Sequence, residues 1–63
     1  MKRAQDLRIS VVNNEIIQCY MKDIEGGFQL DPVEVRGSRV IDGNHRAAAY
    51  KKLRLDIPTI PAK

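Results

Sequence analysis

The sequence predicts a small α+β domain, and three stretches predict it. Ile16, Ile17, Tyr20, Met21 and Ile24 recur at helical spacing, with Glu15, Gln18, Lys22, Asp23 and Glu25 on the opposite side. Val33-Glu34-Val35-Arg36 and Arg39-Val40-Ile41 flank Gly37-Ser38, a two-residue hairpin signal of the type II′ kind. Asp42-Gly43 then turns the second strand sharply into Asn44-His45-Arg46-Ala47-Ala48-Ala49-Tyr50, a run of strong helix formers after its first turn. The expected architecture is a small mixed sheet, a hairpin plus edge strands, with two helices.

Met1 to Asp6 is polar and charged and reads as a frayed tail. Leu7-Arg8-Ile9-Ser10-Val11 alternates, which places Leu7, Ile9 and Val11 on one face of a short strand, although a helical start at Ser10 competes with it. Asn13 is a good N-cap for the first helix, and Gly26-Gly27 offers the left-handed residue that ends it. Cys19 borders the apolar stripe and reads as a small buried hydrophobe. Phe28 to Asp31 is a loop whose Phe28 and Leu30 are expected to fold back on the core. Pro32 opens the first hairpin strand, where its missing N–H does no harm. The hairpin should bring Val35 opposite Val40 and Glu34 opposite Ile41. The second helix is expected over Asn44 to Leu53, with Tyr50 and Leu53 completing its buried face. Leu55 to Ile60 reads as an edge strand broken by Pro58 and Pro61.

The chain has 63 residues and a net charge of +3, with one Cys. A domain of this size buries only about 60% of the surface its unfolded chain exposes. No disulfide is available, and no Cys/His spacing suggests structural zinc, so a homodimer or a bound ligand is the expected source of added stability. No apolar run reaches the roughly 18–20 residues of a membrane span, and the basic N-terminus lacks a signal-peptide core, so the expected location is cytoplasmic. The charge is unevenly placed. Residues 1–31 carry four basic and five acidic side chains, whereas residues 32–63 carry seven and three. Lys51, Lys52 and Arg54 fit either a phosphate-facing field or a solvated helix end, where cations are favourable.

The Asp42–Arg46 corner is the candidate site. Asp42 can cap the helix by accepting from the backbone of Asn44 or His45, and Gly43 leaves room for close approach to the backbone. His45 and Arg46 stand in the first helical turn, where the helix dipole opposes cations by roughly 0.3–1 kcal/mol each. An anion would remove that conflict, because free N–H groups, imidazole and guanidinium would all face it. A phosphate is the best candidate, bound by Gly43, Asn44, His45 and Arg46 with Asp42 supporting the turn. The plain alternative is an ordinary capped helix. A metal or nuclease role for Asp42 and His45 lacks a third ligand nearby.

Asp42-Gly43-Asn44-His45-Arg46, the Ala-rich helix and Ile57-Pro58 together resemble the phosphate-binding core of the ParB/sulfiredoxin superfamily. The resemblance extends back through Pro32-Val33-Glu34-Val35 to the helix around Glu15 to Ile24, about three quarters of the chain. It implies a single ParB-like domain over residues 1–63 in which a Gly-x-His-Arg turn at a helix N-terminus holds nucleotide phosphates. The implied ligand is CTP or ATP, with or without Mg2+. Similar members usually place Gly after this helix, where this chain has Arg54, so either Arg54 accepts left-handed strain or the helix ends differently. Sulfiredoxin-like enzymes carry a catalytic Cys where Asn44 stands, which leaves sulfinic-acid reduction unsupported. Partition ParB proteins usually have Gly-Glu-Arg-Arg at the turn and add helix-turn-helix and dimerisation domains, for which 63 residues have no room. Free serine kinases resemble the Asp-Gly-x-His-Arg turn but need further substrate-binding elements. The resemblance thus implies a minimal nucleotide-binding module. Its alternatives are a plasmid- or phage-type protein contacting DNA or a host protein without catalysis, and a ParB-like nuclease.

Overall fold

An asparagine side chain starts the first helix, as its type and position predict. In the computed structural model, which describes residues 3–10 and 13–62, Asn13 Oδ1 accepts from the backbone N–H groups of Glu15 and Ile16 at 3.1 and 3.2 Å. Helix α1 then runs Asn14–Glu25. Gly27 takes the left-handed conformation (φ 88°) that stops it. The N–H groups of Phe28 and Gly27 donate to the carbonyls of Asp23 and Ile24, the paired bonds of a Schellman end.

The buried stripe of α1 is narrower than its sequence suggests. Ile17 is buried and Tyr20, Met21 and Ile24 are partly so, but Ile16 is 40% exposed and Cys19 is exposed. The reason is packing: α1 lies against the second helix and makes no close approach to the sheet, so one line of side chains suffices. Phe28, expected in the core, is 68% exposed, whereas Leu30 does pack on it.

Strands β1 (Val33–Arg36), β2 (Arg39–Asp42) and β3 (Thr59–Pro61) form a mixed sheet in the order β2-β1-β3. β1 is antiparallel to β2 and parallel to β3. Gly37 has φ 62°, as the first central residue of a type II′ turn requires. Val35 faces Val40 as expected, but Glu34 faces Asp42 and not Ile41. A β-bulge between these pairs leaves Ile41 as the extra residue, and bulges are the usual device for bending a strand where pairing ends. The last strand is shorter than predicted. Thr59–Pro61 is the part that pairs with β1 as a strand, flanked by bonds from Val33 N–H to Pro58 C=O (2.9 Å) and from Ala62 N–H to Val35 C=O (2.8 Å), and Ile57 before it forms an isolated bridge.

The N-terminal segment forms one bridge rather than a strand. Arg8 pairs in parallel with Arg39, its N–H donating to Ser38 C=O at 2.7 Å and its C=O accepting from Val40 N–H at 3.1 Å. Leu7 is buried and Ile9 packs on the core, so the predicted alternation holds over these residues; Val11 lies outside the described residues. The ladder stops at Arg8 because Ser10 N–H donates instead to Asn44 Oδ1 at 2.9 Å. Within the segment expected to fray, Ala4–Asp6 form a 3-10 turn set against the second helix. Met1 and Lys2 lie outside the described residues.

Helix α2 (Asn44–Lys52) is the middle layer. Ala47 and Tyr50 join Val33, Val35, Val40, Leu7 and Ile57 on its sheet side, while Ala48 and Ala49 meet Ile17 on its α1 side. Of the four consecutive buried positions, three carry the small side chains of the alanine run, which fit between two packed faces, and the fourth is Tyr50 on the sheet side. Leu53 is only partly buried. The helix ends by the first of the two expected routes: Arg54 accepts the left-handed conformation (φ 58°). Its N–H donates to Lys51 C=O and that of Leu55 to Tyr50 C=O, a Schellman end with arginine in the glycine position. Left-handed strain costs a non-glycine residue about 1–2 kcal/mol, and glycine's extra freedom when unfolded offsets about 0.5–1 of that. Arg54→Gly should therefore raise the melting temperature by several degrees in a thermal scan, since about 1 kcal/mol shifts a domain of this size by roughly 4–8 °C. An unchanged or lower value would mean that the Arg54 side chain contributes more than its backbone costs.

Candidate functional site

The corner is built by the bulge and by one left-handed glycine. Gly43 (φ 86°, ψ 30°) connects β2 to α2 and is itself the N-cap. Asp42 is not the cap, contrary to the sequence expectation. It is exposed and still paired with Glu34 in the ladder, one residue too early to reach over the helix end. The first helical bond runs from Ala47 N–H to Gly43 C=O at 2.9 Å. The N–H groups of Asn44, His45 and Arg46 precede it and form the open end of the helix, with no side-chain cap.

Arg46 folds back over the glycine. A Cβ added at Gly43 would stand 2.7 Å from Arg46 Nη2, 3.1 Å from Cζ and 3.2 Å from Nε. The space that the sequence left for a ligand to approach the Gly43 backbone is thus filled by the chain's own guanidinium. Arg46 Nε is buried and has no hydrogen-bond partner, an arrangement that strands a strong donor.

The other predicted residues are together but not equivalent. Gly43, Asn44, His45 and Arg46 are all partly buried and line one open cleft of about 310 Å³, with Asp42 and Ile41 beside them. The Asn44 side chain is committed to Ser10, so Asn44 can offer a ligand only its backbone. Two lining residues, Ser10 and Tyr20, were not foreseen. Tyr20 carries a helical-stripe signal that places it on the α2 side of α1, but nothing local says that it borders the corner. Ser10 carries no signal at all, because its place depends on Asn44, 34 residues away.

Three larger clefts lie elsewhere among the described residues. One of about 800 Å³ runs between Phe28, Leu30, Leu55 and Pro58, one of about 430 Å³ lies among Arg3, Lys51, Arg54 and Asp56, and one of about 440 Å³ lies among Ile9, Asn14, Ile17 and Ala48. None includes an open helix N-terminus, since the helix that Asn14 begins is capped by Asn13. The second surrounds the C-terminal end of α2, where cations are favourable without a ligand. Size alone does not select a site, and the 310 Å³ cleft is the one in which backbone donors, imidazole and guanidinium converge. Among the described residues no three His, Cys, Asp or Glu side chains come together as a metal site. No described helix is long and apolar enough to cross a membrane. No family model, curated protein or solved structure matches the chain.

Proposed function

We propose that the Asp42–Arg46 corner binds the phosphates of a nucleotide of the CTP or ATP class, as a minimal ParB-like module. The observation that carries this reading is Arg46: its guanidinium lies across Gly43 at the end of α2, with Nε buried and unpartnered. The residues fit a phosphate. The uncapped N–H groups of Asn44 and His45 supply backbone donors, the Arg46 fork supplies charged ones, and His45 stands on the same cleft wall. Asp42 lies at the mouth of that cleft, where a carboxylate would need Mg2+ or distance to coexist with a phosphate. The same reading includes a cytoplasmic homodimer, since so small a core gains from a partner.

Arg46→Ala should weaken nucleotide binding by roughly ten- to a hundred-fold, because one charge-assisted hydrogen bond is typically worth about 1.5–3 kcal/mol. The helix and its packing should survive, since Arg46 is outside both buried clusters. Isothermal titration of wild type and variant with CTP, ATP and pyrophosphate, with and without Mg2+, reads the effect. Sedimentation equilibrium on the same samples reads the dimer against the 7.2 kDa monomer. A wild type that binds none of the three at millimolar concentration, or an Arg46→Ala that binds as well as wild type, would return the corner to an ordinary helix end.

A further inference from the structure

The cleft at the corner is lined by two unlike sets of side chains. Gly43, Asn44, His45 and Arg46 bring the donors that suit a phosphate. Tyr20 and Ile41 line the same cleft, and a phosphate has little use for them, since neither carries a positive charge and isoleucine has no polar group. The cleft also has more room than one phosphate fills. Its volume of about 310 Å³ stands at the lower end of the roughly 300–1,000 Å³ of small-molecule pockets, which are lined by apolar and aromatic side chains with a few placed polar groups. The apolar part is held by the fold. Tyr20 packs against the Ile17, Ala48 and Ala49 cluster, so the helix contact that buries Ile17 also sets the tyrosine beside the corner. Ile41 is the extra residue of the β-bulge, and bulges re-aim side chains next to functional sites. It is left 45% exposed two residues before the glycine turn.

Resting on the reading of this corner as a phosphate site, we propose that Tyr20 and Ile41 hold the base of the nucleotide, the tyrosine ring by stacking and the isoleucine by apolar contact. A nucleotide has the same two-ended character as the cleft, with a charged phosphate chain at one end and a flat π-faced ring at the other. The chain has one Phe, two Tyr and no Trp. Tyr50 is buried in the core and Phe28 lines a different cleft with Leu30 and Leu55, so Tyr20 is the ring that the corner has for this purpose. The ligand class narrows accordingly. Inorganic polyphosphates and sugar phosphates bring no ring to stack, and the corner selects nucleoside phosphates over both. Every base has a π-face, so stacking tolerates all of them and the choice between pyrimidine and purine is weak.

Isothermal titration with CTP, ATP and inorganic triphosphate tests the proposal, because the three share a phosphate chain and differ in the nucleoside. Wild type should bind CTP and ATP roughly 5- to 150-fold more tightly than inorganic triphosphate, the range that one base–aromatic stack gives, and should bind the two nucleotides with similar affinity. Tyr20→Ala should abolish that preference while inorganic triphosphate binds as before, and Tyr20→Phe should keep the preference. Ile41→Thr, at an exposed position, should reduce it in part. A second readout is optical. In Tyr50→Phe the sole tyrosine is Tyr20, whose emission, corrected for nucleotide absorption, should be quenched by bound CTP and unchanged by bound inorganic triphosphate. The proposal is overturned if inorganic triphosphate binds wild type as tightly as the nucleotides, a result that would leave the phosphate site standing without a base site. It is also overturned if Tyr20→Ala keeps the preference, or if that variant loses all three ligands alike, which would make the tyrosine a structural support. A wild type that binds none of the three overturns the phosphate reading and the base site together.

Discussion

Ile57→Ala is expected to remove about 2–5 kcal/mol of stability, the usual cost of truncating a fully buried isoleucine. Ile57 and Val33 are the largest side chains with no measurable exposure, and Ile57 closes the cluster between α2 and the sheet. A domain of 63 residues has a total stability on the order of 3–9 kcal/mol, so the loss ranges from about a quarter of it to all of it. Urea unfolding followed by circular dichroism should show a midpoint shifted far toward zero denaturant with little change in slope. Ile57→Val should cost only about 0.5–1.5 kcal/mol. If the alanine variant unfolded at the same midpoint as wild type, Ile57 could not be the centre of the core.

Gly43→Val should have the largest effect at the corner, because it acts twice. A left-handed φ of 86° costs any residue with a side chain about 1–2 kcal/mol, and a β-branched one more. The new Cβ would also meet the Arg46 guanidinium at 2.7 Å, and the flexible arginine would yield before the backbone did. The expected result is a lower unfolding midpoint together with a loss of nucleotide affinity at least as large as that of Arg46→Ala. Gly43→Ala should show the same pattern in weaker form. A double variant tests the route: if valine acts by displacing Arg46, then Gly43→Val with Arg46→Ala binds no worse than Gly43→Val alone. Additive losses would mean that the glycine contributes to binding separately.

What the sequence revealed was mostly local. The Asn13 cap, the Gly27 helix end, the type II′ turn at Gly37 and the strand-to-helix corner each depend on a few adjacent residues, and each is found where those residues put it. The failures were matters of context. Phe28 and Cys19 have the composition of core residues but lie exposed: Cys19 stands off the line along which α1 packs on α2, and Phe28 comes after the helix has ended. Asp42 has the chemistry of a cap, but the bulge at Ile41 keeps it in the ladder. The strand at Leu7 stops after one bridge because an asparagine far along the chain takes the next amide. At the corner itself the residue types were legible and their division of labour was not. Arg46 covering Gly43, and Asn44 turned to Ser10, are contacts that no periodicity encodes.

The middle position of α2 has a kinetic consequence. Ala47 and Ala49, on opposite flanks of the helix, have no exposed surface, so α2 cannot move without opening either the sheet side or the α1 side of the core. Amide hydrogens of its central turn should then exchange with solvent only through global unfolding, at the slowest rate in the molecule. The Gly43–Arg46 mouth is rooted in that helix and inherits its rigidity. On the proposed reading, a ligand entering there would meet backbone donors already in place, so its residence time would be set by the strength of its contacts.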